Sequence, residues 1–176
     1  DSYGAIKTPS ALDEVIKATG KNPMLEIASA DDYKAMMNYA MVDPPYIPGF
    51  LIDVLAEAKI KRKAIEQKML KDMAIDADQT AILAEIHTPT LILWGKQDRV
   101  LHVDNAGLLQ EKIRGSRKVL FEQTGHVPMV EKPEETAQHF RDFLKGAAAN
   151  APNMAFERDA PKAARLSTLR YRAKRS

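Results

Sequence analysis

Two short apolar runs, Thr90-Leu91-Ile92-Leu93-Trp94 and Lys118-Val119-Leu120-Phe121-Glu122, constrain this chain more than anything else in it. Each is too short for a helix and reads as a buried strand, apolar on both faces. Between them, Asp104 can cap a helix that places Ala106, Leu109 and Ile113 on one face, and Gly115-Ser116 ends it. Two parallel strands joined by a helix are therefore expected. A second helix should start at Pro133, a favoured first-turn residue, with Glu134 and Glu135 where the helix dipole welcomes anions. Its expected packing face is Ala137, Phe140 and Leu144. The fold class is α/β, built on a parallel sheet.

In open parallel sheets the reactive groups lie on loops beyond the carboxyl ends of the strands. Asp98, in Trp94-Gly95-Lys96-Gln97-Asp98, and His126, in Gly125-His126-Val127-Pro128, both fall there. Neighbouring strands run about 4.8 Å apart, so this carboxylate and this imidazole can meet. A hydrolytic histidine shuttles a proton between nucleophile and leaving group, and needs a carboxylate to hold its tautomer and stabilise the imidazolium. Taken singly, Asp98 reads as a turn residue and His126 as a solvated loop histidine. Their joint placement after consecutive strands favours an acid–base pair.

Residues 1–88 look helical. Ser10 can cap a helix through Ala18 that Gly20 stops, and Asp31 or Asp32 can cap another through Met36, Met37 and Tyr39. Asp43-Pro44-Pro45-Tyr46-Ile47-Pro48-Gly49 breaks that helix. A longer one follows from about Phe50 to Met73, with Leu51, Leu55, Ala58, Ile65 and Met69 as one buried stripe that the Lys59 to Lys63 cluster interrupts. The expected division is a helical, cap-like segment over 1–88, a sheet-bearing core over 89–146 and a basic, flexible tail over 147–176.

The 176 residues, 45% hydrophobic and 28% charged, suffice for one compact domain. No apolar run approaches the ~20 residues of a membrane span, and Asp1-Ser2-Tyr3-Gly4 is not the basic start of a signal peptide. Beginning at Asp1 without an initiator Met suggests a processed protein or a piece of a longer one. The absence of cysteine excludes disulfides, cysteine nucleophiles and thiolate metal sites. From Gly146 onward seven Lys or Arg face two acidic residues, against 19 basic and 22 acidic before it. That tail reads as a solvated segment rather than a nucleic-acid arm. The Lys59 to Lys63 cluster likewise reads as a solvated helix face, with anionic lipid headgroups as its alternative partner. Composition leaves oligomeric state undecided and compartment open between cytoplasm and membrane surface.

The segment Ile86-His87-Thr88-Pro89-Thr90-Leu91-Ile92-Leu93-Trp94-Gly95-Lys96-Gln97-Asp98-Arg99-Val100-Leu101, followed by Gly125-His126-Val127-Pro128-Met129-Val130-Glu131-Lys132-Pro133-Glu134, resembles the carboxyl-terminal third of an α/β-hydrolase of the monoacylglycerol-lipase-like and bacterial lipase or esterase branch. The resemblance implies a partial α/β-hydrolase fold: a helical cap, then strand, helix, strand, helix. Residues 3–75, with Asn22-Pro23-Met24-Leu25 and Pro44-Pro45-Tyr46-Ile47-Pro48, resemble the cap that such lipases insert after their sixth strand. Asp98 then maps onto the triad acid and His126 onto the base, with a small acyl ester or lipid as substrate and neither metal nor cofactor.

The departure from that family is the nucleophile. A G-x-S-x-G elbow exposes the serine and supplies an oxyanion-hole amide, and none of Ser2, Ser10, Ser29, Ser116, Ser167 and Ser176 stands in one. Ser2, two residues before Gly4, could be the remnant of a cut elbow, but Asp1 to Gly4 reads more simply as the exit of the sixth strand. The chain is thus expected to supply acid and base while the serine lies outside this sequence. Epoxide hydrolases, dehalogenases, carbon–carbon hydrolases and acyltransferases share the fold, and a truncated, inactive protein that binds a partner is the rival outside enzymes. His87, His102 and His139 read as structural or exposed. Met36, Met37, Met41, Phe50, Leu51 and Leu55 read equally well as an acyl pocket or as cap packing.

Overall fold

The computed structural model describes residue 4 and residues 7–74 and 78–150. Ser2 and the expected tail after residue 150 lie outside the described residues. Strands β1 (Leu91–Gly95) and β2 (Arg117–Phe121) pair in parallel, with Leu91 opposite Arg117 and Gly95 opposite Phe121. Helix α4 (Asp104–Lys112) crosses between them. Ala106, Leu109 and Ile113 form the core with Ile92, Trp94 and Leu83, the last from a 3-10 turn over Thr80–Glu85. This is the helix face expected from the sequence.

Burial of β1 is one-sided. Ile92 and Trp94 are buried, whereas Leu91 and Leu93 are only half-buried, because helices of the described residues cover one face more fully than the other. Helix α4 also begins differently. Asp104 is its first helical residue rather than its cap, and its N–H donates to His102 Nδ1 at 3.2 Å while its carboxylate accepts from Thr8 Oγ1 at 2.8 Å.

Among the cap-like helices, α1 (Ala11–Thr19) matches its signals: Ser10 and Asp13 form a capping box, and Gly20 closes the helix at φ 70° with its N–H on the Ile16 carbonyl. Helix α2 (Ala30–Ala40) is capped by Ser29, not by Asp31 or Asp32. Asp32 instead accepts from Ser29 Oγ and the Ala28 N–H, holding its carboxyl below the usual range. The spacing Ser29-x-x-Asp32 carried that signal, with Asp in the role of the more usual Glu.

Helix α3 (Gly49–Ala74) has the expected extent but not the expected buried face. Leu51, Leu55, Ile65 and Met69 are 42%, 38%, 59% and 56% exposed, while Ile52 and Ala56 are buried. Packing against α2 uses the Ile52–Ala56 face, which Lys59–Glu66 and Lys63–Glu26 ion pairs continue. Periodicity located an apolar stripe without locating its partner. Lys61 pairs with Glu57 and Arg62 lies 3.9 Å from Glu66, which it shares with Lys59, so each cation of the cluster has an acidic neighbour within the protein.

A short helix α5 (Pro128–Glu131) precedes α6 (Pro133–Asn150), which runs four residues past the expected boundary at 146. Its inward side is Thr136, His139 and Phe143, whereas Phe140 and Leu144 are about half exposed. His139 meets the buried Phe121 ring edge-on at 5.7 Å, which selects that face. No helix among the described residues is long and apolar enough to cross a membrane.

Candidate active site

Asp98 and His126 meet at the carboxyl end of the sheet. Just past β1 the chain turns through Lys96 and Gln97, with the Asp98 N–H on the Gly95 carbonyl at 3.3 Å. The Asp98 side chain is fully buried, and such a carboxylate must be satisfied by donors. Its Oδ1 accepts from the Val100 and Leu101 N–H groups at 2.7 and 3.0 Å, and its Oδ2 lies 3.0 Å from His126 Nδ1. With an acceptor-only carboxylate as partner, Nδ1 carries the proton and Nε2 the lone pair. The imidazole is one-quarter exposed. A carboxylate on Nδ1 leaves Nε2 as the proton-accepting nitrogen of the ring.

The loops that carry them interlock through backbone. Gln97 N–H donates to the Thr124 carbonyl and Gln97 Oε1 accepts from the Thr124 N–H, both at 3.0 Å. Lys96 and Glu122 form an ion pair beside this bridge. A Cβ on Gly95 would lie 1.9 Å from the Gly125 carbonyl oxygen, so only glycine fits. On the other side of the base loop, a Cβ on Gly125 would lie 2.3 Å from the Ala40 carbonyl oxygen at the end of α2. That same oxygen accepts the His126 N–H at 2.7 Å.

Glu131, on α5, completes the arrangement. Its Oε1 accepts from the Gly125 N–H at 2.8 Å, and its Oε2 accepts from the Val42 and Asp43 N–H groups at 2.7 and 3.1 Å. Sequence reasoning assigned Glu131 and Gln97 no role. Apart from Gly125, their partners lie 88–89 and 27 residues away, and no local pattern announces such a contact.

The remaining candidates disperse. His102 serves the start of α4, His139 packs on Phe121 and lies 3.8 Å from Glu135, and His87 is exposed. Met37 lines a cleft of about 250 Å³ with Pro44, Pro45, Tyr46, Ile47 and Ile52. Met36 lines another, of about 390 Å³, with Val15, Pro23 and Tyr39. Phe50, Leu51 and Leu55 are 69%, 42% and 38% exposed on α3. The Tyr39 hydroxyl is buried without a hydrogen-bond partner among the described residues, and burial raises its pKa above the ordinary 10.0.

No protein-family model matches the chain. It is 34% identical over 131 residues to Lipase 3 of Moraxella sp. (strain TA144), covering 73% of this chain and 42% of that protein. It is 31% identical over 101 residues to monoacylglycerol lipase ABHD6 of Bos taurus, covering 56% and 30% respectively. Among solved structures, a membrane phospholipase A superposes with a TM-score of 0.78 at 32% identity, covering 85% of this chain and 48% of that one. The chain spans about two fifths of the length of the lipases it matches, 42% and 40% for Lipase 3 and Lipase 1. With its parallel strand pair, crossing helix and preceding helices, the chain has a partial α/β-hydrolase fold and is similar in sequence to lipases over part of their length.

Proposed function

We propose that this chain supplies the acid and base of a Ser-Asp-His triad in a serine ester hydrolase acting on an acyl ester or lipid, monoacylglycerols included. The observation that carries the reading is the 3.0 Å Asp98–His126 contact at the ends of adjacent parallel strands. The similarity to lipases supports the substrate class. In this reading the helices of residues 1–88 are a cap, residues 89–146 belong to the hydrolase core, and the serine comes from polypeptide outside this sequence.

The chemistry follows from the geometry. His126 Nε2 takes the serine hydroxyl proton as the oxygen attacks the ester carbonyl, then gives that proton to the departing alkoxide. Water attacks the acyl-enzyme carbonyl while giving a proton to Nε2, the bond to the serine oxygen breaks as Nε2 returns that proton to it, and the carboxylic acid leaves with the serine regenerated. Asp98, with Oδ1 occupied by two backbone N–H groups, keeps Oδ2 for the imidazolium formed in each half-reaction.

The test is complementation. Residues 1–176 are co-expressed with an amino-terminal portion of a lipase relative that carries a G-x-S-x-G elbow, and hydrolysis of short and medium acyl esters is followed. Activity is expected with His126 intact and a loss of more than about a thousandfold with His126→Ala. Equal activity in the two removes His126 as base. The chain alone should hydrolyse no ester, and fluorophosphonate labelling of any of its six serines would show that the nucleophile lies here after all.

A further inference from the structure

We propose that Glu131 is a positioning residue that fastens the base loop to the chain leaving α2, so that displacement of residues 40–43 is transmitted to the His126 imidazole. The proposal rests on the assignment of His126 as base, and adds a residue through which the cap-like helices act on it.

Three N–H groups from two distant segments converge on this one side chain: Gly125 on Oε1, Val42 and Asp43 on Oε2. A carboxylate suits the site because both of its ends accept. A glutamine of the same size would present its NH2 to one of those donors, so one side of the fastening must open. The fastening lies in parallel with two backbone contacts, the His126 N–H on the Ala40 carbonyl and the close seat of Gly125 on Ala40 and Met41. Gly125 is the residue immediately before His126, and the loop that presents the imidazole is thereby held between Gly95 on one side and Ala40 on the other. Residues 42–43 lead directly into Pro44-Pro45-Tyr46, where Tyr46 is 90% exposed. Movement there pulls on Glu131 through Val42 and Asp43, and from Glu131 on Gly125.

The experiment compares the 176-residue chain with Glu131→Gln, Glu131→Asp and Thr136→Val. The last removes a hydroxyl bond to the Pro128 carbonyl, loosening α5 without touching the fastening. Two readouts are taken by mass spectrometry: amide exchange in peptides covering residues 40–43 and 123–127, and the pH profile of His126 Cε1–H exchange, which reports imidazole ionisation. Glu131→Gln is expected to raise amide exchange about tenfold to a hundredfold at both segments and to move the His126 midpoint. Thr136→Val should leave that midpoint in place. If Glu131→Gln does not fold, Glu131→Asp is read instead, since it keeps the charge but cannot span both segments. An unmoved His126 midpoint with faster exchange at residues 40–43 overturns the proposal, as does an equal shift from Thr136→Val. These readouts need no turnover, so an inactive complemented enzyme would count against the base assignment and not against the fastening.

Discussion

Replacing Gly125 with alanine should destabilise the protein by about 1.5–3.5 kcal/mol, against the usual direction for a glycine of ordinary backbone conformation. Gly125 is absent from the positive-φ residues, so alanine carries no backbone strain there and should gain about 0.4–1 kcal/mol by restricting the unfolded chain. The added Cβ, however, would lie 2.3 Å from the Ala40 carbonyl oxygen and 2.9 Å from Met41 Cα, both backbone atoms with no rotamer to yield. Relief requires a separation of about 1 Å, which takes both the 2.7 Å His126–Ala40 hydrogen bond and the 2.8 Å Gly125–Glu131 bond beyond bonding range. Losing the neutral bond costs about 1 kcal/mol and the charge-assisted one about 1.5–3 kcal/mol, which outweighs the entropic gain. The controls are Gly107→Ala in α4, where the nearest atom is the flexible Lys118 Nζ at 3.9 Å, and Gly146→Ala in α6, where nothing lies within 4 Å. Each control should gain about 0.5–1 kcal/mol in a helix. Urea unfolding followed by far-ultraviolet circular dichroism gives all three. A Gly125→Ala variant within about 0.5 kcal/mol of the parent, or less destabilised than the controls, refutes the close contact with α2.

Asp98→Asn should preserve the turn, since Oδ1 still accepts from Val100 and Leu101, but its amide would donate to Nδ1 and invert the imidazole tautomer. In the complemented enzyme this should cost about four orders of magnitude in turnover with little change in thermal stability, and retained turnover would remove the triad assignment. Tyr39→Phe removes a buried hydroxyl that has no partner among the described residues, so stability at neutral pH should be unchanged or rise by up to about 1 kcal/mol; a loss larger than that would reveal a partner. Because burial raises the Tyr39 pKa, its contribution is intact below 10.0 and is lost as pH rises through the raised value, and the phenylalanine variant should lack that alkaline loss. Asp32 shows the opposite sign: hydrogen bonds from Ser29 and Ala28 lower its pKa, so its contribution is present above 3.8 and lost as pH falls through the lowered value. Asp32→Asn should flatten that acid limb, measured by thermal melts between pH 5 and pH 2.

The sheet and the site pair were legible because their signals are local. Two apolar runs, a capped stretch with Ala106, Leu109 and Ile113 at helical spacing, and the placement of Asp98 and His126 just past each run gave topology and proximity together. Helix faces were less legible. On α3 the apolar stripe through Leu51, Leu55, Ile65 and Met69 is real but outward, and on α6 Phe140 and Leu144 look more apolar than the His139 side that packs. Periodicity reports how apolar residues are spaced on a helix, whereas the partner that selects a face belongs to another part of the chain. Glu131 failed to stand out for the same reason, since two of its three N–H partners lie almost ninety residues away.

The two glycines of the site follow a different logic from turn glycines. Gly20 and Gly115 adopt positive φ and serve chain reversal, but Gly95 and Gly125 do not. They are small because three backbones meet: the acid loop against Gly125, and Gly125 against the end of α2. Trp94-Gly95 and Gly125-His126 are therefore two halves of one contact, and Ala40 is its third member. Alignment of Asp98 with His126 then depends on how α2 ends as well as on the sheet, although α2 contributes neither side chain. A substitution at Ala40 or in residues 41–43 should consequently disturb the Asp98–His126 pair more than an equally large change at Leu51, Leu55, Ile65 or Met69, which are exposed on α3.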